Sequence, residues 1–178
     1  MALLESKQIE AIRIPQISLI DVRSGSDYHV IGDLTIIAVI CNHCPYVLHI
    51  KSVMQEVLNS ALTKGFEVVA ISGNDVRHYP EDAPDKMKLF SDGFEFPYLY
   101  DEKQLFLKAL QAVCTPEFYI FRKQVLVYHG RFDSASPGNS VVVTGCDLKQ
   151  AIIDILHNKQ ISLQLPSIGC SIKWVDDN

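Results

Sequence analysis

The sequence predicts a single α/β domain: a central mixed β-sheet flanked by helices, with an N-terminal β-hairpin before it and an extended C-terminal tail after it. Three observations carry this. Residues 34–40 (LTIIAVI) and 66–71 (FEVVAI) are apolar, β-branched runs with one amphipathic stretch between them, the pattern of strand, helix and strand joined by a right-handed crossover. Residues 117–121 and 125–129 are two more strand-like runs parted by a short polar turn, which adds antiparallel pairing to the parallel unit. The length of 178 residues, 48% of them apolar, suits one core, and no repeat, low-complexity tract or composition break marks a linker.

In chain order, residues 14–22 and 28–31 read as the leading hairpin, turning at residues 23–26. The run 34–40 has no polar face, so it belongs in the middle of the sheet. Pro45 suits a first helical turn, and Val47, Ile50, Met54, Val57, Leu58 and Ala61 recur at helical spacing until Gly65 stops the helix. After the run 66–71, residues 82–93 predict a shorter helix with Pro84 near its start and Gly93 as its stop. Asp101 and Gln104 have capping-box spacing before a helix with Leu105, Phe106, Ala109 and Leu110 on its apolar face. The hairpin of 117–121 and 125–129 turns at residues 122–124. Asp147 and Gln150 repeat the capping spacing before a last helix striped by Leu148, Ala151, Ile152, Ile155 and Leu156. The core therefore spans about 34–158 of a single domain, 1–178, and the tail 159–178 holds the only tryptophan, Trp174.

Sixteen Lys and Arg against 21 Asp and Glu give a formal charge of -5, which offers no general attraction to nucleic acid or anionic membranes. The first residues carry acidic side chains and no long apolar segment, and no window approaches the ~18 apolar residues of a membrane span. A cytoplasmic protein without nucleic-acid or membrane partners is expected. Five scattered cysteines, Cys41, Cys44, Cys114, Cys146 and Cys170, are unlike the framework of a disulfide-stapled secreted domain. In a reducing compartment a local cysteine pair is a catalytic, redox-sensing or metal candidate.

Cys41-Asn42-His43-Cys44-Pro45 is that pair, set where the first buried strand gives way to a helix. Backbone N–H groups and the helix dipole favour a thiolate there. Two intervening residues also let the sulfurs form a disulfide, so a mixed disulfide at one is resolved by the other. Cys41, expected at the exposed first position, is the candidate nucleophile, and Cys44 the deeper resolving thiol. A partly protonated His43 between them would favour the thiolate; the plainer alternative is a solvent-facing side chain. Zinc sites share the spacing, but Cys114, Cys146 and Cys170 form no second Cys-x-x-Cys. Thr115-Pro116 precedes the hairpin and is a candidate cis peptide.

Seven stretches in order resemble the thioredoxin-like proteins of the AhpC/TSA type, often called peroxiredoxin-like: CNHCPYV (41–47), NDVRHYPEDAPDKM (74–87), FPYLYDE (96–102), VCTPEFYIF (113–121), GRFDSASPGN (130–139), VTGCDL (143–148) and PSIGCSIKW (166–174). The resemblance runs through most of the chain from residue 34. It implies a thioredoxin fold, a redox role for Cys41 and Cys44 supported by Asn42, His43, Pro45 and Cys114, and a cis bond at Pro116. Thr115 and Pro116 would form the partner-docking edge. Peroxiredoxins carry a Pro seven residues and a Thr or Ser three residues before the peroxidatic Cys, which aligns with Cys44; Ile37 and Cys41 stand there instead. The Trp usual before the first thioredoxin cysteine is Ile40, and the Gly-Pro between the cysteines is Asn42-His43. The leading expectation is thiol–disulfide exchange with protein or small-molecule disulfides. Peroxide reduction and a non-catalytic or metal-binding adaptor are the alternatives.

Cys114 reads either as a further thiol near the pair or as a small packing residue, and Cys170 either as a resolving thiol or as part of a tail anchored by Ile168, Ile172 and Trp174. Cys146 precedes a helix cap without a nameable partner. Asp75, His78, Glu81, Asp82 and Asp85 form a polar cluster that is either a metal candidate or a solvated, helix-capping loop. Residues 130–133 and 137–139 either wall the site or turn the chain. With no P-loop, nucleotide fingerprint or Gly-x-Ser-x-Gly motif, no cofactor is expected, and no metal is assigned.

Overall fold

The computed structural model describes residues 3–7, 9 and 12–175. The first half runs β1 (Leu3–Glu5), β2 (Leu19–Asp21), β3 (Asp27–Tyr28), β4 (Leu34–Val39), α1 (Pro45–Leu62) and β5 (Glu67–Ser72). The second runs α2 (Pro84–Phe90), β6 (Tyr98–Tyr100), α3 (Leu105–Ala109), β7 (Cys114–Thr115), β8 (Glu117–Arg122), β9 (Val125–Gly130), α4 (Cys146–Leu156) and β10 (Ile168–Ser171).

The two apolar runs are the centre of the molecule. β4 and β5 pair in parallel, Ile36 opposite Val68 and Ala38 opposite Ala70, and the seven-stranded sheet is ordered β3-β2-β6-β5-β4-β8-β9. Alternate residues of β4 face opposite cores. Ile36, Ala38 and Ile40 pack with Met54 and Leu58 of α1 and Ile152 of α4, while Ile37 and Val39 pack with Phe106 and Leu107 of α3. β8 and β9 form the expected hairpin, closed by Lys123 and Gln124 at φ 49 and 66, the left-handed backbone of a two-residue turn.

The leading hairpin is present but short, β2 with β3, and β6 adds a third parallel strand that the hydrophobic pattern did not mark. The helix expected over 82–93 is instead a turn of 3-10 helix, Pro80–Asp82, and then α2, because each proline can only open a helix. Neither capping box forms. Gln104 and Gly145 occupy the N-cap positions in left-handed backbone, so Asp101 reaches forward to accept the Leu107 N–H at 2.8 Å and Asp147 pairs with Arg131 at 2.7 Å. Cys146 is therefore the first residue of α4, exposed, not the residue before its cap.

The tail is the largest departure. Beyond an irregular stretch it forms β10, the middle strand of a second antiparallel sheet, β1-β10-β7. Gly169 permits this, since a Cβ there would lie 2.0 Å from the Thr115 carbonyl oxygen. Ile172 is buried as expected, but Ile168 and Trp174 are 47% and 38% exposed, and buried Gly169 and Cys170 seat the strand instead. Asp176, Asp177 and Asn178 lie outside the described residues.

Candidate active site

β4 ends at Val39, and the Ile40 N–H still bonds the Ile71 carbonyl at 3.0 Å, so the chain leaves the sheet with Cys41 at its carboxyl edge. Asn42 and His43 bend back. Cys44 is the N-cap of α1 and Pro45 opens the helix. The pair thus stands on the approach to the helix, not within its first turn. Both sulfur residues are buried, Cys41 at 2% and Cys44 at 0% exposure, which corrects the expectation of an exposed Cys41.

Thr115 is what covers them. Its hydroxyl lies 3.4 Å from Cys41 Sγ, and its carbonyl accepts the Cys44 thiol at 3.2 Å. The Thr115–Pro116 bond is cis. Cys114, next to Thr115, turns its thiol to the Ser167 carbonyl at 3.9 Å. Cys170 lies opposite Thr115 in the register of β10 with β7 and is buried in the same cluster as Cys44. The backbone of Thr115, expected to be open to a partner, is already paired with β10.

On the other side Asp82 organises the Asn-His pair. Its carboxylate is fully buried and accepts the Asn42 N–H at 2.8 Å, the Asn74 amide at 2.7 Å and His43 Nδ1 at 2.7 Å. Asn42 donates to the Glu81 carbonyl and accepts from the Tyr98 hydroxyl. His43 stacks on Tyr79 with centroids 5.4 Å apart, and its Nε2 is buried without a partner.

These contacts set the charges. The hydrogen bond to Asp82 raises His43 above the ordinary imidazole range against the opposing cost of burial. Burial alone would raise Asp82, but His43, Asn74 and the Asn42 N–H hold it below the usual carboxylate range. Cys41 and Cys44 lie close enough to perturb one another, so the pair gives up its first proton more readily than its second. The first thiolate is favoured on Cys44, which Cys41, Cys170, Thr115 and the Val47 N–H all pull below the ordinary thiol range. Cys41 is pushed up by the neighbouring Cys44, by burial and by the nearby Asp82 carboxylate.

The AhpC/TSA family model matches residues 13–129, well over half of the chain. The chain belongs to the AhpC/TSA family. This AhpC/TSA chain is similar over its full length to an uncharacterized conserved protein from Geobacillus kaustophilus: 40% identity, 99% of that chain covered, TM-score 0.95. It is 35% identical to a hypothetical protein from Sinorhizobium meliloti 1021, with 96% of this chain and 97% of that one covered and a TM-score of 0.91. A secreted disulfide oxidoreductase of Mycobacterium tuberculosis, homologous to E. coli DsbE, shares the thioredoxin-like fold at 13% identity, with 78% and 95% coverage and a TM-score of 0.57. No curated protein matches the chain.

The remaining candidates of the AhpC/TSA chain sort by position. The polar cluster splits: Asp75 binds His78 at 2.6 Å and Arg77 at 3.1 Å, while Asp82 alone turns into the site. Cys41, His43 and Asp82 each offer one donor atom within 4.8 Å of the others, the one such group among the described residues. A metal there would have to displace the hydrogen bonds that Asp82 already accepts. Arg131, Phe132, Asp133 and Asn139 wall a cavity of about 160 Å³ shared with Pro116, Tyr46 and Ile168, so this loop shapes the molecule beside the site. One site-adjacent residue was not singled out from the sequence: Glu117, buried directly after Pro116, which accepts the Val113 N–H at 3.0 Å and binds His129 at 2.6 Å; a carboxylate within an apolar strand was its only sign. Among the described residues no helix is long and apolar enough to cross a membrane.

Proposed function

We propose that the chain is a thiol–disulfide oxidoreductase that exchanges electrons with protein or small-molecule disulfides through Cys41 and Cys44. The observation that carries this is the paired dithiol: two buried cysteines two residues apart, both sulfurs held by Thr115, with the first thiolate favoured on Cys44. Family membership agrees with redox chemistry at that coarse level.

Cys41 attacks one sulfur of the substrate disulfide and passes its proton to the adjacent Cys44 thiolate. The substrate S–S bond breaks as the Cys41 mixed disulfide forms. The first leaving thiolate takes the proton from Cys44, which then attacks Cys41 Sγ and forms the Cys41–Cys44 disulfide. The second half leaves as a thiolate and is protonated by water. Two electrons pass from the dithiol to the substrate. Asn42 and His43 hold the loop through Asp82, Pro45 opens the helix that supports the Cys44 thiolate, and Cys114 packs behind Thr115. The substrate approaches over Pro116 and the adjoining cavity. The chemistry needs no cofactor, and the compartment we propose is the cytoplasm, where the pair would be kept reduced.

Turnover of insulin or glutathione disulfide tests the assignment. Cys41→Ser is expected to reduce it to the uncatalysed rate, and Cys44→Ser to accumulate the mixed disulfide on Cys41. Unchanged turnover in Cys41→Ser would refute it. A second reading, peroxide reduction, is favoured by the thiolate character of Cys44, the sulfur that aligns with a peroxidatic cysteine. Ile37 and Cys41 offer no peroxide-orienting hydroxyl or ring there, so stopped-flow oxidation is expected to run no faster than that of free cysteine.

A further inference from the structure

We propose that Cys170 is a third redox cysteine, carried on β10 into the place a docked substrate strand would take, where it exchanges with Cys44. This rests on the dithiol reading above. Three independent features meet here. β10 pairs with β7 so that Cys170 stands opposite Thr115, the residue whose carbonyl holds the Cys44 thiol. Gly169 lets the strand approach that carbonyl more closely than any side chain would allow. Cys170 and Cys44 lie in one buried cluster, close enough that each perturbs the titration of the other.

The extended strand lying against the residue before Pro116 thus occupies the docking edge and presents a sulfur to the pair, as an incoming disulfide would. With the Cys41–Cys44 disulfide formed, Cys170 loses its proton and attacks Cys44 Sγ. The Cys41–Cys44 bond breaks, the Cys44–Cys170 bond forms, and Cys41 leaves as a thiolate that takes the proton Cys170 gave up. No electron is gained or lost. The oxidised chain therefore holds its single disulfide in two isomers, one of which returns Cys41 to the thiol state. Burial and the nearby Cys44 push the Cys170 thiol up to about 12, so exchange is slow at neutral pH and quickens as pH rises. Cys114 does not join in, since its thiol is turned to the Ser167 carbonyl.

Disulfide mapping decides it. Purified full-length chain is oxidised with excess glutathione disulfide, quenched in acid, alkylated, and its peptides are identified by mass spectrometry. Wild type is expected to yield both Cys41–Cys44 and Cys44–Cys170, Cys170→Ala only Cys41–Cys44, and Cys41→Ser only Cys44–Cys170. Wild type yielding Cys41–Cys44 alone, with Cys170 fully alkylated, overturns this inference and leaves the dithiol reading standing. Pairing of Cys44 with Cys114 in Cys41→Ser overturns it too. Absence of both disulfides from wild type overturns the dithiol reading and this inference together.

Discussion

Asp82 decides how charge is distributed around the dithiol. Its carboxylate holds the loop through the Asn42 N–H, raises His43 above the ordinary imidazole range and sits near enough to Cys41 to oppose a thiolate there. Asp82→Asn is expected to lower the Cys41 titration and to return His43 towards the ordinary imidazole range. Ultraviolet thiolate absorbance and the His43 ring resonances would show both shifts, and an unmoved Cys41 titration would count against the role. The same pair gives stability a pH window. Asp82 contributes above the ordinary carboxylate range and loses its contribution as pH falls through its depressed value; His43 contributes below the ordinary imidazole range and loses its contribution as pH rises through its elevated value. Denaturation midpoints measured across pH should therefore peak between those limits, and His43→Ala should flatten that part of the profile. Cys41, Asn42, His43 and Cys44 were legible because they are contiguous in the sequence. Asp82 was legible only as one acid among five, because 39 residues and a strand separate it from His43, and sequence spacing does not encode that contact.

At the scale of elements, hydrophobic period explains what could be read. β4, β5, α1 and α4 announce themselves through continuous apolar runs or helical stripes, and all four stand where expected. Met54, fully buried between α1 and the sheet, should lose about 2–5 kcal/mol on substitution by Ala, measured by denaturant unfolding. β10 was illegible for the opposite reason: Ile-Gly-Cys-Ser has no alternation to recognise, and its pairing is set by close backbone approach rather than by buried apolar area. Gly169→Ala places a methyl group against the Thr115 carbonyl, so it should destabilise the fold by about 1–3 kcal/mol and increase amide exchange along β10 more than along β4. Equal protection of β10 in the variant would show that the strand does not depend on that approach. The capping boxes were misread because Gln104 and Gly145 take left-handed backbone, a choice made by the tight turns before α3 and α4.

For the whole molecule, the family pattern and the βαβ unit together specified a thioredoxin-like fold, and the sheet order and the cis peptide at Pro116 agree with it. What the pattern did not contain is the second sheet, which folds the last part of the chain back over the residues that hold the sulfurs. The site is consequently enclosed, with its thiols and Cys170 of the covering strand in one core and the buried Asp82 beside it, rather than at an open edge. Enclosure around a stabilised Cys44 thiolate favours the reduced form of the pair, so the couple should be more oxidising than one with unperturbed thiols. Equilibration of the wild-type chain with glutathione buffers of known ratio tests this central claim most directly. The account predicts a reversible two-electron transition, absent from Cys41→Ser as a Cys41–Cys44 disulfide and shifted towards a more oxidising potential than a simple dithiol. Thiols that remain unoxidised across the whole range, or a transition indifferent to Cys41 and Cys44, would contradict it.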